Sequence, residues 1–175
     1  MLLFVFCGCF EYHLNNPLEN YMNALYVRIE NLPPMRVASV RIFSTQPELQ
    51  AWEKLKAWAM PRGFFCNPQQ HPIFGFNNPN PSKENNEYGY ELWMLVGSDV
   101  VSDGHVEVKE VEGGRYAVLT VNGFPNPQNW RQLWDWVHRN NYQWRNAHEL
   151  ERMHNPLASA AEACFDLYLP IEGQT

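Results

Sequence analysis

A chain of 175 residues with 45% hydrophobic and 14% aromatic side chains carries enough apolar mass for one packed domain, which excludes a disordered protein. Its 13 basic and 19 acidic residues leave a formal charge of −6 with no basic cluster, so direct nucleic-acid binding is disfavoured. The four cysteines (Cys7, Cys9, Cys66, Cys164) contain no C-x-x-C spacing, which argues against a zinc ribbon or a disulfide framework and for free thiols in a reducing cytoplasm.

The chain opens with an apolar run, Leu2 to Phe6, that is far too short to span a bilayer and lacks the basic flank of a secretory signal. Residues 1–24 therefore read as an extension outside the core, with no membrane role, and residues 25–173 as a single domain. "VRIENLPPMRVASV" (27–40) alternates apolar and polar and predicts one half-buried strand. Pro47 after Thr45-Gln46 starts a helix through "QAWEKLKAW" (50–58), which "PRG" (61–63) ends. Two short strands follow, "IFGFNNP" (73–79) and "YELWMLV" (90–96).

The same four blocks then recur in the same order. "VEVKEVEGGRYAVL" (106–119) repeats the first strand, aligning Arg115 with Arg36. "QNWRQLWDW" (128–136) repeats the helix, with Trp130 on Trp52, Leu133 on Leu55 and Trp136 on Trp58. Asn126 is placed as its N-cap, and Trp130, Leu133, Trp134 and Val137 form its core-facing stripe. "LERMHNP" (150–156) repeats "IFGFNNP", and "FDLYLPI" (165–171) repeats "YELWMLV". Offsets that drift only from 79 to 75 indicate a duplicated unit with loop insertions. The fold class is thus α+β: two tandem pseudo-symmetric strand–helix–strand–strand units, about 25–100 and 104–172, sharing an antiparallel sheet. Helices on one side of the sheet would leave a central ligand cleft on the other, at the pseudo-two-fold axis.

"VRIENLPPMRVASVR", "GFNNPNP", "YGYELWMLVGSDV", "EVKEVEGGRYAVLTV" and "DLYLPI" together resemble the GyrI-like small-molecule-binding family, over about residues 25–172. These effector-binding domains also occur fused to AraC-type and MerR-type transcription regulators, and this chain resembles a stand-alone member. The resemblance implies tandem units, a central aromatic cleft and affinity for amphipathic, often cationic, organic compounds. It also implies two alternatives: a hydrolase of strained cyclopropane-containing toxins, or an effector protein acting on a partner such as gyrase or a transcription regulator. The family carries a pocket glutamate in a segment resembling F-E-x-Y-x-N-x-P, where Glu151 of "LERMHNP" stands. Here Met153 replaces the usual tyrosine, and the segment is one residue shorter before Pro156.

Glu151 aligns with Phe74 in the first unit, which marks an inward, apolar position. A carboxylate there costs several kcal/mol unless it is paired or neutralised, and a lipophilic cation would supply the missing charge. The competing reading is an exposed strand glutamate. Glu149 shares the face but is expected at the rim or in solvent. Of the aligned pairs on the closing strands, Trp93 and Tyr168 are assigned to the cleft, and Tyr90 and Phe165 to the space under the helices. Phe74 and Phe76 are expected as the opposing wall and Met153 as an adaptable neighbour. Trp134, which has only Lys56 as its counterpart, completes the candidate ligand-binding set. Glu151 would be the general base were the protein an enzyme. No H-E-x-x-H spacing, G-x-S-x-G elbow or phosphate-binding glycine loop occurs, so neither metal nor cofactor is expected.

Overall fold

The computed structural model describes residues 25–174, so the expected extension lies outside the described residues. The elements are β1 (Val27–Leu32), β2 (Met35–Ser44), α1 (Pro47–Ala59), β3 (Ile73–Asn77), β4 (Tyr88–Leu95), β5 (Glu107–Val111), β6 (Gly114–Asn122), α2 (Pro127–Arg139), β7 (Tyr142–Trp144), β8 (Leu150–Met153) and β9 (Cys164–Gln174). The strands form an antiparallel sheet in the order β1-β6-β9-β8-β3-β4-β2-β5, with β7 added to the end of β9. Exchanging β1, β2, β3 and β4 with β5, β6, β8 and β9 turns this order into its own reverse. Its midpoint is the β3–β8 pairing.

The segment expected as one strand is two. Pro33 and Pro34 have no N–H to give to a ladder, so pairing stops between Leu32 and Met35. The register nevertheless continues across the gap, with Leu32 opposite Gly114 and Met35 opposite Val111. The two halves of the segment serve opposite ends of the sheet: β1 pairs with β6, while β2 pairs with β4 and β5. The two connections touch closely, since a Cβ on Gly113 would lie 2.0 Å from the Leu32 carbonyl oxygen.

Both helices lie on one face. Ala51, Leu55 and Trp58 of α1 pack with Val40, Tyr90, Leu92 and Met94. Leu133 and Val137 of α2 pack with Leu119, Phe165, Leu167 and Leu169. Met153 packs against both of these cores. α2 is capped as expected: the Asn126 side chain accepts from the Gln128 and Asn129 backbone N–H groups at 2.9 and 3.1 Å. α1 begins at Pro47 with no side-chain cap. No helix among the described residues is long and apolar enough to cross a membrane.

The opposite face holds a third core that contains no helical residue: Val37, Phe74, Phe76, Trp93, Tyr116, Val118, Leu150 and Tyr168. The long ribbon of β1–β2 against β5–β6 carries the chain between the two ends of the sheet, and its Leu32, Met35 and Val111 pack with this core. Two buried acids, at matching places on β4 and β9, are embedded here. Glu91 accepts from Ser39, Trp93 and Asn78, each at 2.7 Å, and pairs with Lys109. Burial alone would raise its pKa, but these partners, Lys109 foremost, hold it down at about 2. Asp166 accepts from Arg28 at 2.7 Å and from Thr120, and faces His154. Its carboxyl is likewise lowered, because the bonds from Arg28 and Thr120 outweigh burial.

A carboxylate cavity between the helices

A cavity of about 960 Å³ opens on the helix face at the middle of the sheet, in the gap between α1 and α2. α1 contributes Glu48, Leu49 and Trp52, and α2 contributes Trp130. The sheet supplies Tyr90, Glu151, Met153 and Phe165, the end of β7 supplies Trp144, and the loops of the second half supply Phe124, His148 and Glu149. The cleft therefore lies on the side that carries the helices and not, as expected, on the far side. The helices cap the two outer cores and leave the central strands uncovered between them.

Glu151 sits on the floor. Strand β8 pairs it with Gly75 on one side and Leu167 on the other. Its counterpart across the midpoint is thus Gly75 rather than Phe74, a slip of one residue, and such a slip moves a side chain to the other face. The glycine leaves a space that the Tyr90 hydroxyl occupies: a Cβ on Gly75 would come within 2.1 Å of that oxygen. Tyr90 donates to Glu151 Oε2 at 3.1 Å and Trp130 Nε1 donates to Oε1 at 3.4 Å. Both donors are neutral. Burial raises the Glu151 pKa against the opposing pull of these two bonds. Glu149 is also raised by burial. Among the described residues, no lysine or arginine lines the cavity.

The candidate residues divide between the two faces. Glu151 and Met153 line the cavity, and Phe76 reaches its edge, stacked on His148 at 4.2 Å. Trp93, Tyr168 and Phe74 are on the opposite face and do not meet Glu151. Trp93 donates to Glu91, Tyr168 donates to Glu30 at 3.0 Å, and Phe74 packs edge-on against Tyr168. The register explains this correction: Glu151 is opposite Leu167, whereas Tyr168 is opposite Leu150. Tyr90 and Phe165 lie under the helices, as expected, and because the cavity opens on that same face they are the pair that lines it. Trp134 is not in the lining, but its ring lies 6.5 Å from that of Trp144, which is. Sequence reasoning passed over Trp130 and Gly75 as site residues. The signals were a tryptophan that recurs in both helices and a glycine set between two phenylalanines.

The raised Glu151 pKa has a consequence for stability. Ionised Glu151 opposes folding, in full above its raised folded pKa and not at all below the ordinary carboxylate value. Glu151→Gln is therefore expected to stabilise the free protein at neutral pH by about 1 kcal/mol, or roughly 2–4 °C in Tm. The gain should vanish on acidification, and thermal melts across pH check it. A variant less stable than wild type at neutral pH would mean that ionised Glu151 contributes to folding.

Among proteins of known structure, the chain resembles the C-terminal domain of EcmrR, with a TM-score of 0.65 and 17% identity over 86% of this chain and 99% of that one. It also resembles an uncharacterized conserved protein from Listeria innocua (TM-score 0.61, 9% identity, 89% and 96% covered). A hydrolase from Listeria innocua is similar too (TM-score 0.57, 11% identity, 89% and 98% covered). At these identities the likeness is one of fold, and it supports the α+β architecture. No curated protein sequence matches the chain. The family model for Cass2, described as integron-associated effector binding protein, matches residues 28–171. That span holds every strand and helix but the ends of β1 and β9, and the chain belongs to this effector-binding family.

Proposed function

We propose that the cavity captures amphipathic organic cations with an aromatic or bulky apolar body, and that Glu151 supplies the counter-charge. The observation that carries this reading is a desolvated carboxylate whose hydrogen bonds among the described residues come from the neutral donors Tyr90 and Trp130, in a wall to which those residues contribute no lysine or arginine. Such a group gains most from a ligand that brings its own positive charge and its own apolar surface. Trp52, Tyr90, Trp130 and Phe165 offer π faces to the cation and area to its apolar body. Met153, unbranched and polarizable, fits ligands of differing outline. Membership of an effector-binding family agrees with a small-molecule ligand; the cationic class is inferred from the cavity wall.

Tryptophan fluorescence tests it directly, because Trp52 and Trp130 line the cavity. 1-Methyl-4-phenylpyridinium is expected to bind wild type about ten-fold more tightly than neutral 4-phenylpyridine, a difference of about 1.4 kcal/mol. Glu151→Gln is expected to erase that preference while sparing the neutral compound. Equal affinity of the wild type for both compounds would refute the assignment.

A further inference from the structure

We propose that the apolar lining of the cavity continues onto a collar at its mouth, made by Leu49, Phe124 and Trp144, and that the preferred ligands are cations with a compact head and one extended apolar tail. This rests on the reading of the cavity as a cation site and names the shape of the cation: the head meets Glu151 and the tail lies along the collar. The three side chains line the cavity yet are 58%, 64% and 45% exposed, whereas Tyr90 and Phe165 on the floor are 6% and 7% exposed. They come from three separate elements: Leu49 from the first turn of α1, Phe124 from the connection between β6 and α2, and Trp144 from the end of β7. The Phe124 ring lies 5.8 Å from that of Phe165, so floor and collar form one continuous apolar surface.

Large apolar side chains left in water forfeit the free energy that burial would return. The first half of the chain shows how this fold buries them. After α1, Phe65 packs edge-on against Trp52 at 5.8 Å, and Phe64 stacks on Trp58 at 5.3 Å. After α2, Trp144 instead stands at the cavity mouth, with the Trp134 ring 6.5 Å away and tilted by 34°. Charge selects what covers the collar. Glu48 and Glu149 line the same cavity, and the described residues add no lysine or arginine to it. An anionic lipid surface or an acidic peptide is repelled there, and a second copy of this chain would bring the same acids face to face. An apolar tail that carries a cationic head meets complementary charge and apolar area together.

Calorimetric titration of the full chain with 1-butylpyridinium and 1-octylpyridinium, below micelle-forming concentrations, reads the tail separately from the head. Wild type is expected to bind the octyl compound about fifty-fold more tightly, somewhat less than full burial of the added methylenes would give. Phe124→Ser combined with Trp144→Ser is expected to reduce that ratio to about ten while leaving the butyl compound within about two-fold of its wild-type affinity. Leu49→Ser, an independent change on α1, should lower the ratio about two-fold. Phe43→Ser removes a ring on β2 that is 53% exposed but does not line the cavity, and should leave the ratio as in wild type. A wild-type ratio near one, or a ratio that the collar variants leave unchanged, overturns the collar and leaves the cation cavity standing. Free wild type that dimerises in sedimentation velocity, or that co-sediments with phosphatidylcholine vesicles, with that behaviour lost in the double variant, assigns the collar to that partner and likewise overturns the proposal. If 1-methyl-4-phenylpyridinium binds wild type no better than 4-phenylpyridine, the cation reading and the collar are both overturned.

Discussion

Glu91→Ala is expected to destabilise the protein by about 3 kcal/mol, or roughly 6–12 °C in Tm, the largest loss foreseen for any single change considered. Its carboxylate is almost fully buried and serves four partners at once: Ser39, Asn78, Trp93 and Lys109. Truncation removes the acceptor for a buried indole N–H and a buried hydroxyl and leaves a cavity under the aromatic core. Lys109 is partly exposed and turns to water, which keeps the cost at the lower end for a broken buried pair. The effect depends on pH in a definite sense. The folded pKa is held down at about 2, so Glu91 contributes its stability above the ordinary carboxylate range and loses it as pH falls toward 2. Urea unfolding should show a wide gap between wild type and variant at neutral pH that narrows with acidification. A gap that stays constant with pH would mean that packing alone, and not the charge, accounts for the loss.

Gly75→Ala is expected to cost about 2 kcal/mol and to abolish the cation preference together with it. The added methyl group would sit 2.1 Å from the Tyr90 hydroxyl oxygen and 2.7 Å from its ring carbon. The ring cannot simply swing aside, because Tyr90 is buried in the core under α1. The tyrosine must be displaced, Glu151 loses one of its two hydrogen bonds, and the floor of the cavity is filled. Gly75→Ala combined with Tyr90→Phe relieves the contact at the oxygen and should recover part of the stability but not the orientation of Glu151. Unfolding curves read the first effect, and the pyridinium titration the second. Wild-type stability in Gly75→Ala would show that the strand shifts to make room.

The acids under the sheet were within reach of the sequence and passed unnoticed. "YELW" over "FDLY" aligns Glu91 with Asp166, in strands otherwise apolar, and the structure buries both with cationic partners from β5 and β1. Those partners come from β1 and β5, each of which pairs with a strand of the other unit, so nothing local announced them.

Composition and periodicity by themselves determined an α+β fold, the Trp-rich helices and their starts, the repeated order of blocks, and a carboxylate at Glu151 set among apolar neighbours. These are properties of residues within a few positions of one another along the chain. The tertiary structure alone decided which face each strand shows to the helices, and with it the company Glu151 keeps. Alternation along a strand defines two faces but does not say which is which, and a single-residue change of register exchanges them. The pairing of Glu151 with Gly75 and Leu167 sends Trp93 and Tyr168 to the far core and brings Tyr90, Phe165 and Trp130 to the cavity. That register is set by hydrogen bonds between strands roughly 75 residues apart in the chain, a separation over which local side-chain preference carries no information.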